Sequence, residues 1–246
     1  MRIALLADIH GNLVALETVL REVAQESVDR IICLGDVAAL GPQPHEVIAR
    51  LRSLQCPVIL GNTDAWLLAG PEDKTSESAT LRAITSWCAE QLTTEDRSYI
   101  GTFSPLLELP LDEGRTLLCY HGSPRSFDDV IASITPDALV KEMLSGFAAT
   151  MMVGGHTHIQ MIRRYEDSYL VNVGSIGLPG VNAGSPELPD NRHVHWAEYG
   201  VLSVESSRLS IDLRRIPLDM TAVLKAGRDS GMPHVEWWMQ KWETPE

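Results

Sequence analysis

Short apolar runs alternate with amphipathic segments over the first part of the chain. Apolar runs at residues 3–7, 30–34 and 58–60 predict buried parallel strands, and a polar residue follows each of them. Leucine and valine residues recur at helical spacing over residues 13–23 and predict an amphipathic helix, and a second helix is predicted over residues 45–54. This order favours a mainly parallel sheet with helices on its faces, in which ligands collect at the carboxyl ends of the strands.

The remainder of the chain has more strand patterns than helix patterns. Residues 76–101 and 136–145 have helical character. Apolar runs predict six further strands, at residues 116–120, 150–153, 161–165, 169–173, 199–204 and 208–215. The last two strands are joined by residues 205–207, and this short polar connection predicts a hairpin.

Two segments near the C-terminus have an unusual composition. Residues 180–195 are rich in Gly, Pro, Asn and Ser and predict a long loop, and long loops are often functional. The tail after Asp219 carries Trp237, Trp238 and Trp242. We expect these indoles to pack on the body of the protein or on a neighbouring subunit, with stacking on a substrate as the alternative.

The charge and the composition limit the classes of partner and compartment. The chain has 20 Lys and Arg residues against 33 Asp and Glu residues, a formal net charge of −13. A broad nucleic-acid surface is not expected because such surfaces are basic, but a metal site could still attract a small anionic substrate. The four cysteines form no CxxC pair, Asp8 and His10 break the N-terminal apolar run, and no window has about 20 apolar residues. We therefore expect a cytoplasmic protein with no signal peptide and no membrane span.

Five short polar motifs lie next to predicted strand ends and carry the candidate chemistry. They are Asp8-Ile9-His10, Gly35-Asp36, Gly61-Asn62-Thr63-Asp64, His121-Gly122 and Gly154-Gly155-His156-Thr157-His158. Each motif alone is weak, because a histidine at a strand end is more often a packed or surface residue. The candidate ligands among them are the carboxylates of Asp8 and Asp36, the carboxamide of Asn62 and four imidazoles, a mixture that suits Mn, Fe or Zn. Their joint placement predicts a metal centre, since clustered carboxylates without a cation would repel each other.

The motif order D-x-H, GD, GN-x-[DE], H and G-H-x-H resembles the calcineurin-like metallophosphoesterase family, and in particular its small bacterial and archaeal phosphodiesterase-like branch. The resemblance covers residues 1 to about 180, including ADIHGNLVALETVL, LGDVAALGPQPHEVI, GNTDAW, HGSP, GGHTH and NVGSIGLP. It implies an α/β fold, a four-layer αββα sandwich of two mixed β-sheets with the metal site at one rim. We expect a single domain over residues 1–246, with the motifs in residues 1–180 and the loop, hairpin and Trp-rich extension in residues 181–246.

The resemblance also implies how seven ligands are shared between two divalent cations. The first cation would be held by Asp8, His10 and His158, the second by Asn62, His121 and His156, and Asp36 would bridge them. A hydroxide that bridges both cations would be the nucleophile, so no side chain is expected in that role. The implied activity is that of a hydrolase, a dinuclear metal-dependent phosphoesterase.

Two positions depart from the pattern of many relatives. A histidine that is thought to protonate the leaving group often follows the Asn ligand, and here that residue is Thr63. The acidic partner of such a histidine lies three residues after the bridging Asp, where this chain has Ala39. A positioned general acid contributes about 10²–10⁴-fold, and it matters most for a basic alkoxide leaving group. We therefore expect phosphodiesters to be preferred over monoesters.

Three residues are candidates for contacts with the substrate, and each has an alternative role. Thr63 could bond a phosphoryl oxygen or only fill space, and Arg125 could bind phosphate or form a surface salt bridge. Asn12 could face the substrate, although capping the first helix would be enough to explain it. Asp64 is expected to orient a ligand or to cap the helix that follows it.

The predicted loop at residues 180–195 holds a further departure. Relatives often place a phosphate-contacting arginine where this chain has Gly180. Arg192, His193 and His195 are close in sequence and could replace it, although a solvated loop is the simpler alternative.

Other functions stay open at the sequence level. The same site could serve a phosphomonoesterase, a nucleotidase or a protein phosphatase. A non-catalytic binding scaffold is a third class, because some family members have lost metal ligands, but all seven expected ligands are present here. The expected partner is a small phosphorylated substrate, with a phosphodiester favoured, and a homo-oligomer is left open.

Overall fold

The computed structural model describes residues 1–70, 78–180, 192–206 and 208–243. Within these ranges the strands are β1 (Arg2–Leu6), β2 (Arg30–Cys33), β3 (Leu107–Pro110), β4 (Thr116–Cys119), β5 (Met151–Gly154), β6 (Met161–Tyr165), β7 (Ser168–Asn172), β8 (Trp196–Glu205) and β9 (Arg208–Pro217). The helices are α1 (Leu13–Gln25), α2 (Pro44–Leu54), α3 (Asn62–Ala69), α4 (Ala79–Gln91), α5 (Thr94–Ile100), α6 (Asp137–Met143), α7 (Met220–Ser230) and α8 (Val235–Gln240).

The strands form two mixed sheets. The first sheet has the order β2-β1-β8-β9, with β1 and β2 parallel and β8 antiparallel to both β1 and β9. The second sheet has the order β3-β4-β5-β7-β6, with β4, β5 and β7 parallel and the outer strands antiparallel. The parallel strands of each sheet therefore end together, and their carboxyl ends are available for one shared site.

Three apolar clusters define the layers. Alternate residues of β1 and β2, including Ile3, Leu5 and Ile32, pack between the sheets against residues of the second sheet such as Val153 and Val171. The opposite face of the first sheet is covered by α1, α2, α4, α7 and α8. The outer face of the second sheet packs against α6. This helix–sheet–sheet–helix order confirms the predicted αββα sandwich.

Local sequence signals account for the ends of several elements. Helix α1 begins after Asn12, whose side chain accepts a bond from the Ala15 N–H at 3.1 Å, and Pro44 occupies the first position of α2, where it loses no helical bond. The predicted hairpin is present as the β8–β9 pair, with Glu205 opposite Arg208. Residue 207, inside the predicted connection, lies outside the described residues.

Some predictions differ from the structure. Residues 58–60 do not form a strand of their own; Val58 makes a single bridge to Cys33, and Ile59 makes one to Ser104. Strand β3 and helices α7 and α8 were not predicted. The aromatic tail packs on the body of the protein, since Trp238 and Trp242 are both buried in the cluster under the first sheet.

None of the described helices combines the length and the apolar character that crossing a bilayer requires.

Candidate metal centre

The seven predicted ligand residues lie together at the rim where the parallel strands end. Asp8 and His10 follow β1, Asp36 follows β2, Asn62 begins α3, His121 follows β4, and His156 and His158 follow β5. All but His156 are buried, and His156 is partly buried. The site therefore draws its side chains from both sheets.

One group of candidate ligands consists of Asp8, His10 and His158. One ligand atom from each lies within 4.8 Å of the others. The Nε2 atoms of His10 and His158 are 3.0 Å apart, and Asp8 Oδ1 lies 3.8 Å and 3.4 Å from these two nitrogens respectively. Spacings of this size are suited to a single cation at about 2.0–2.2 Å from each ligand atom.

The second group consists of Asp36, His121 and His156, and Asn62 lies beside it. One ligand atom from each of the first three lies within 4.8 Å of the others. The Asn62 amide oxygen is 3.1 Å from His121 Nε2, and the rings of His121 and His156 have centroids 5.1 Å apart. The carboxamide can therefore join this group as an oxygen ligand.

Asp36 lies between the two groups. Its Oδ2 atom is 3.7 Å from His10 Nε2 in the first group and 3.4 Å from His121 Nε2 in the second. Its other oxygen, Oδ1, accepts a bond from the Thr63 N–H at 3.0 Å. This backbone bond fixes the rotation of the carboxylate, so Oδ2 faces both groups.

Backbone carbonyls orient three of the histidine rings. His10 Nδ1 is 3.1 Å from the Ala39 carbonyl oxygen, and His121 Nδ1 and His158 Nδ1 are each 2.7 Å from the carbonyl oxygens of Leu34 and Leu178. A carbonyl can only accept, so each Nδ1 carries a proton, and when the ring is neutral its Nε2 presents a lone pair to the site.

This assignment tests whether the donor set fits a metal ion. The two Nε2 lone pairs of His10 and His158 face each other at 3.0 Å, and His121 Nε2 faces the Asn62 oxygen at 3.1 Å. Two acceptors at these distances repel unless a positive centre lies between them. One divalent cation in each group would remove this repulsion, so the residues present fit a pair of cations.

The pKa shifts of the same groups also indicate that the site favours a positive charge. Burial alone would lower the pKa of His121, but the Asp36 carboxylate raises it to about 10. Burial and the charge of His158 lower the pKa of His10 to about 4, and burial and His121 lower that of His156 to about 4. Burial opposes the ionisation of Asp36, yet the neighbouring His121 holds its pKa below the usual range. The two carboxylates favour positive charge in the site. Because the imidazoles are packed closely, a proton on one ring opposes a proton on the next, so protons cannot balance both carboxylates.

Five of the seven ligands have a left-handed backbone. The φ angles are 53° for Asp8, 47° for His10, 55° for Asp36, 73° for His156 and 59° for His158. This region costs a non-glycine residue about 1–3 kcal/mol and persists only where the surrounding structure enforces it. Such a concentration of strained residues marks a functional site.

Asp64 acts as the anchor of the bridging residue. Its Oδ2 atom accepts from the backbone N–H of Asp36 at 2.8 Å and of Gly61 at 3.1 Å, and its Oδ1 accepts from Val37 N–H at 2.9 Å. The bond from Gly61 also caps α3, so both roles considered for Asp64 are present. The side chain thereby connects the loops after β2 and before α3.

The three candidate substrate residues lie in different environments. Asn12 is buried, and its amide group donates to the Gly177 carbonyl at 3.1 Å while its oxygen caps α1, so both polar atoms are engaged by the fold. Arg125 is exposed and donates to Asp129 at 2.7 Å, which is the surface salt bridge considered as its alternative. Thr63 is buried next to Asn62, and its hydroxyl has no hydrogen-bond partner among the residues that the structure describes.

The end of the predicted 180–195 loop lies against the first ligand group. Residues 181–191 lie outside the described residues, but the His193 backbone pairs with Gly180, and the His193 ring is buried with its Nδ1 unpartnered. Burial and the charge of His158 lower the pKa of His193 to about 3. His195 donates from Nε2 to the Trp242 carbonyl at 2.6 Å.

Two positioning residues escaped the sequence analysis. Asn172 donates to the Gly155 carbonyl and, at 3.0 Å, to Thr157 Oγ1, and so holds the loop that carries His156 and His158. Ser175 donates to the Asp8 carbonyl at 2.8 Å and accepts from Leu178 N–H at 2.9 Å. A signal was available, because Asn172 interrupts the apolar run of a predicted strand and Ser175 follows that strand closely, and polar groups that become buried need partners.

Comparisons with known proteins agree with this geometry. The sequence model of the calcineurin-like phosphoesterase superfamily domain matches residues 1–204. The chain is 26% identical over 230 residues to the uncharacterized protein MJ0912 of Methanocaldococcus jannaschii, which covers 87% of this chain and 89% of that protein. A metallophosphoesterase from Sphaerobacter thermophilus has a TM-score of 0.73 at 23% identity, over 98% of both chains. Hypothetical protein PH1004 from Pyrococcus horikoshii OT3 has a TM-score of 0.80 at 21% identity, over 97% of this chain and 96% of that chain.

Proposed function

The chain belongs to the calcineurin-like phosphoesterase superfamily, and from this membership and the site geometry we propose that it is a hydrolase of phosphodiester bonds that uses two divalent cations. The observation that carries the proposal is the position of Asp36. Its Oδ2 atom faces a nitrogen of each ligand group, at 3.7 Å and 3.4 Å. A carboxylate so placed is suited to bridging two cations, one in each group.

The proposed ligands divide as the two groups do. The first cation would be held by Asp8, His10 and His158, the second by Asn62, His121 and His156, and Asp36 would serve both. This mixture of imidazole and oxygen ligands favours Mn, Fe or Zn over Mg or Ca. When bound, the two cations supply a nucleophilic water of lowered pKa and neutralise charge on the phosphoryl oxygens.

The chain's own residues set up this chemistry in three ways. Backbone carbonyls fix the rings of His10, His121 and His158 with their Nε2 atoms toward the site. The left-handed backbone of five ligands holds them in place before substrate arrives. The only acidic ligands proposed are Asp8 and Asp36, so the loaded site has a net positive charge that attracts a phosphate despite the acidic surface.

The proposed preference for diesters rests on two residues beside the site that cannot donate a proton to the leaving group. Thr63 and Ala39 occupy the positions where a histidine and its acidic partner would protonate a leaving group. Both are buried, and neither has a side chain that can act as a general acid near neutral pH. A leaving group of low pKa needs that proton least, so aryl diesters should react faster than alkyl monoesters.

We also propose that the Thr63 hydroxyl bonds a phosphoryl oxygen. It is buried beside the proposed ligand Asn62, and no group in the described part of the chain bonds it. A buried hydroxyl without a partner costs about 1–3 kcal/mol. A substrate oxygen would provide the missing acceptor.

The substrate class is tested with apo-protein reloaded with Mn²⁺. Rates for a series of aryl phosphodiesters and alkyl monoesters are measured against the pKa of the leaving group. The proposal expects a steep dependence and a large preference for aryl diesters; a preference for alkyl monoesters would contradict it and favour a phosphomonoesterase or protein phosphatase. Protein that binds no metal and is insensitive to EDTA would instead indicate a binding scaffold.

The role of Thr63 is tested separately with the isosteric variant Thr63→Val. The loss of one bond to a charged oxygen predicts a fall in kcat/KM of about 10–100-fold, with the Mn²⁺ affinity unchanged. The matched control is Thr85→Val, because the Thr85 hydroxyl on α4 is also buried and unpartnered but belongs to no ligand group. Equal effects of the two variants would mean that Thr63 only fills space.

Several finer assignments accompany this proposal. We propose a cytoplasmic location, which the four unpaired cysteines support, and a single domain over residues 1–246. We propose Asn12 and Arg125 only as secondary substrate contacts, because each side chain already bonds another group of the protein. The partner class is a small phosphorylated molecule.

A further inference from the structure

We propose that helix α8, with Trp238 as its main positioning residue, supports the first ligand group and leaves the second group unaffected. The inference rests on the proposed function in one respect, that the two ligand groups bind cations. It concerns a part of the chain beyond residue 204, where the family match ends. It follows from two sets of contacts that reach the histidine-orienting carbonyls of the first group.

The first contact acts next to the carbonyl that orients His10. The Trp238 indole is buried, with 2% of its surface exposed, and its Nε1–H donates to the Leu40 carbonyl at 3.0 Å. The neighbouring carbonyl, that of Ala39, orients His10 through its Nδ1. Leu40 has a φ of 71°, a conformation that a leucine keeps only when it is held. The indole bond supplies such a restraint one peptide away from the His10 contact.

The second set of contacts acts next to the carbonyl that orients His158. The residues after α8 offer two backbone carbonyls: Lys241 O accepts from His193 N–H at 2.7 Å, and Trp242 O accepts from the His195 ring. The segment so held reaches back, since Val194 N–H donates to Pro179 O at 3.0 Å. Pro179 directly follows Leu178, whose carbonyl orients His158.

Both contacts meet around one small space. A cavity of about 20 Å³ is lined by Leu40 and Leu178 on the side of the metal centre and by His193, Trp238 and Lys241 on the side of the extension. Leu40 follows the residue that supplies one orienting carbonyl, and Leu178 supplies the other. Both line the same cavity as residues of helix α8, so this helix packs against the supports of the first ligand group.

The second ligand group has a different support. His121 is oriented by the carbonyl of Leu34, and Leu34 packs in the cluster between the two sheets. Leu40, Leu178 and Trp238 belong instead to the cluster under the first sheet. A change at Trp238 should therefore reach the first group and not the second.

The test measures metal affinity, because activity would not separate this inference from the proposed function. Apo-protein is titrated with Mn²⁺ by calorimetry in two backgrounds: His121→Ala, which leaves the first group, and His158→Ala, which leaves the second. Trp238→Phe is added to each, since phenylalanine keeps an aromatic ring but removes the N–H donor together with part of the buried indole. Trp87→Phe, on α4, is the matched control, because Trp87 is partly buried against the same cluster but does not line this cavity.

Loss of an outer partner of a metal ligand typically weakens binding by about 10–100-fold. Trp238 bonds the carbonyl next to such a partner, so for Trp238→Phe we expect a smaller loss, about 3–30-fold, in the His121→Ala background. In the His158→Ala background we expect a change below about twofold. Equal losses in both backgrounds, or none in the first, would overturn the inference. A wild-type chain that binds no metal would overturn the proposed function as well.

A second variant separates positioning from a general loss of stability. His195→Ala removes the ring donor to the Trp242 carbonyl without changing the buried indoles. It should weaken Mn²⁺ binding in the His121→Ala background in the same direction as Trp238→Phe, while circular dichroism of the apo-protein stays unchanged. An unaltered affinity of this variant would refute the contribution of the residues that follow α8.

Discussion

Replacement of Asp64 by asparagine tests how the fold holds the proposed bridging ligand. The carboxylate accepts three backbone N–H bonds, from Asp36, Gly61 and Val37, at 2.8–3.1 Å. An asparagine amide has one oxygen, which can replace Oδ2 and keep the bonds from Asp36 and Gly61. Its NH₂ group would then face the Val37 N–H, so a buried donor is left opposite another donor.

The size of the effect follows from this count. Burial and the charge of Asp36 raise the pKa of Asp64 to about 7, so the comparison is made near pH 8, where this carboxyl is mostly ionised. One bond to a charged acceptor is then lost and one buried N–H is left unsatisfied, which together correspond to about 2–3 kcal/mol of unfolding free energy. For a chain of this length, we expect the melting temperature of the apo-protein to fall by about 4–12 °C. Because Asp36 moves with its backbone, Mn²⁺ affinity should also fall by about 10–100-fold.

The assay has two parts, thermal unfolding in EDTA and calorimetric titration with Mn²⁺. The matched control is Asp137→Asn, because the Asp137 side chain is 82% exposed and bonds Arg163 far from any ligand group. The control should change neither quantity by much, since surface ion pairs contribute little. An Asp64→Asn protein with wild-type stability and metal affinity would refute the role given to this carboxylate.

Three other predictions address the metal, the glycine beside it and pH. Protein in EDTA should melt about 5–10 °C below protein with Mn²⁺ at about 100 times its Kd, as measured by calorimetry. Gly61→Ala should abolish tight Mn²⁺ binding, because an added Cβ would overlap Asp36 Oδ1 and lie 2.5 Å from its backbone nitrogen, whereas Gly101→Ala meets only contacts of 3.4 Å and should bind normally. Burial would raise the pKa of Asp96, but the hydrogen bond between its side chain and His45, at 2.6 Å, helps to lower it. The ionised carboxylate therefore stabilises the fold at pH values above its unfolded pKa, and this stabilisation is lost as the pH falls through its folded pKa. Asp96→Asn should therefore cost about 1–3 kcal/mol in urea unfolding near pH 7 and much less once the pH has fallen below the folded pKa of Asp96. A pH-independent cost would contradict this account.

The strand ends and their polar residues could be predicted because each lies within a short stretch of sequence. Asp8 and Asp36 directly follow apolar runs, and parallel strands carry such residues to one edge. The contacts that orient the ligands could not be predicted in the same way. The partner of His10 is a backbone carbonyl 29 residues away, and that of His121 is 87 residues away. A carbonyl has no sequence signature, so only the folded chain reveals it.

The missed elements have their own physical reasons. Strand β3 has four residues, of which alternate ones are exposed, and it is an edge strand of the second sheet that pairs with β4. Helix α8 has six residues and begins after His234, which has a left-handed backbone, so neither its length nor its cap signals a helix. Helix α7 did carry signals, since Asp219 caps its start and Gly231 ends it.

The division of the ligands between two sheets has a consequence for the folding kinetics. His10 follows a strand of one sheet and His158 follows a strand of the other, 148 residues later in the chain, while the sheets themselves pack through apolar side chains. A cation held by both residues would fasten the two halves of the sandwich, and it could do so only after the halves have docked. Contacts that form after the transition state slow unfolding and leave the folding rate almost unchanged. The supply of metal is therefore expected to govern how long each folded molecule lasts, and not how quickly it is formed.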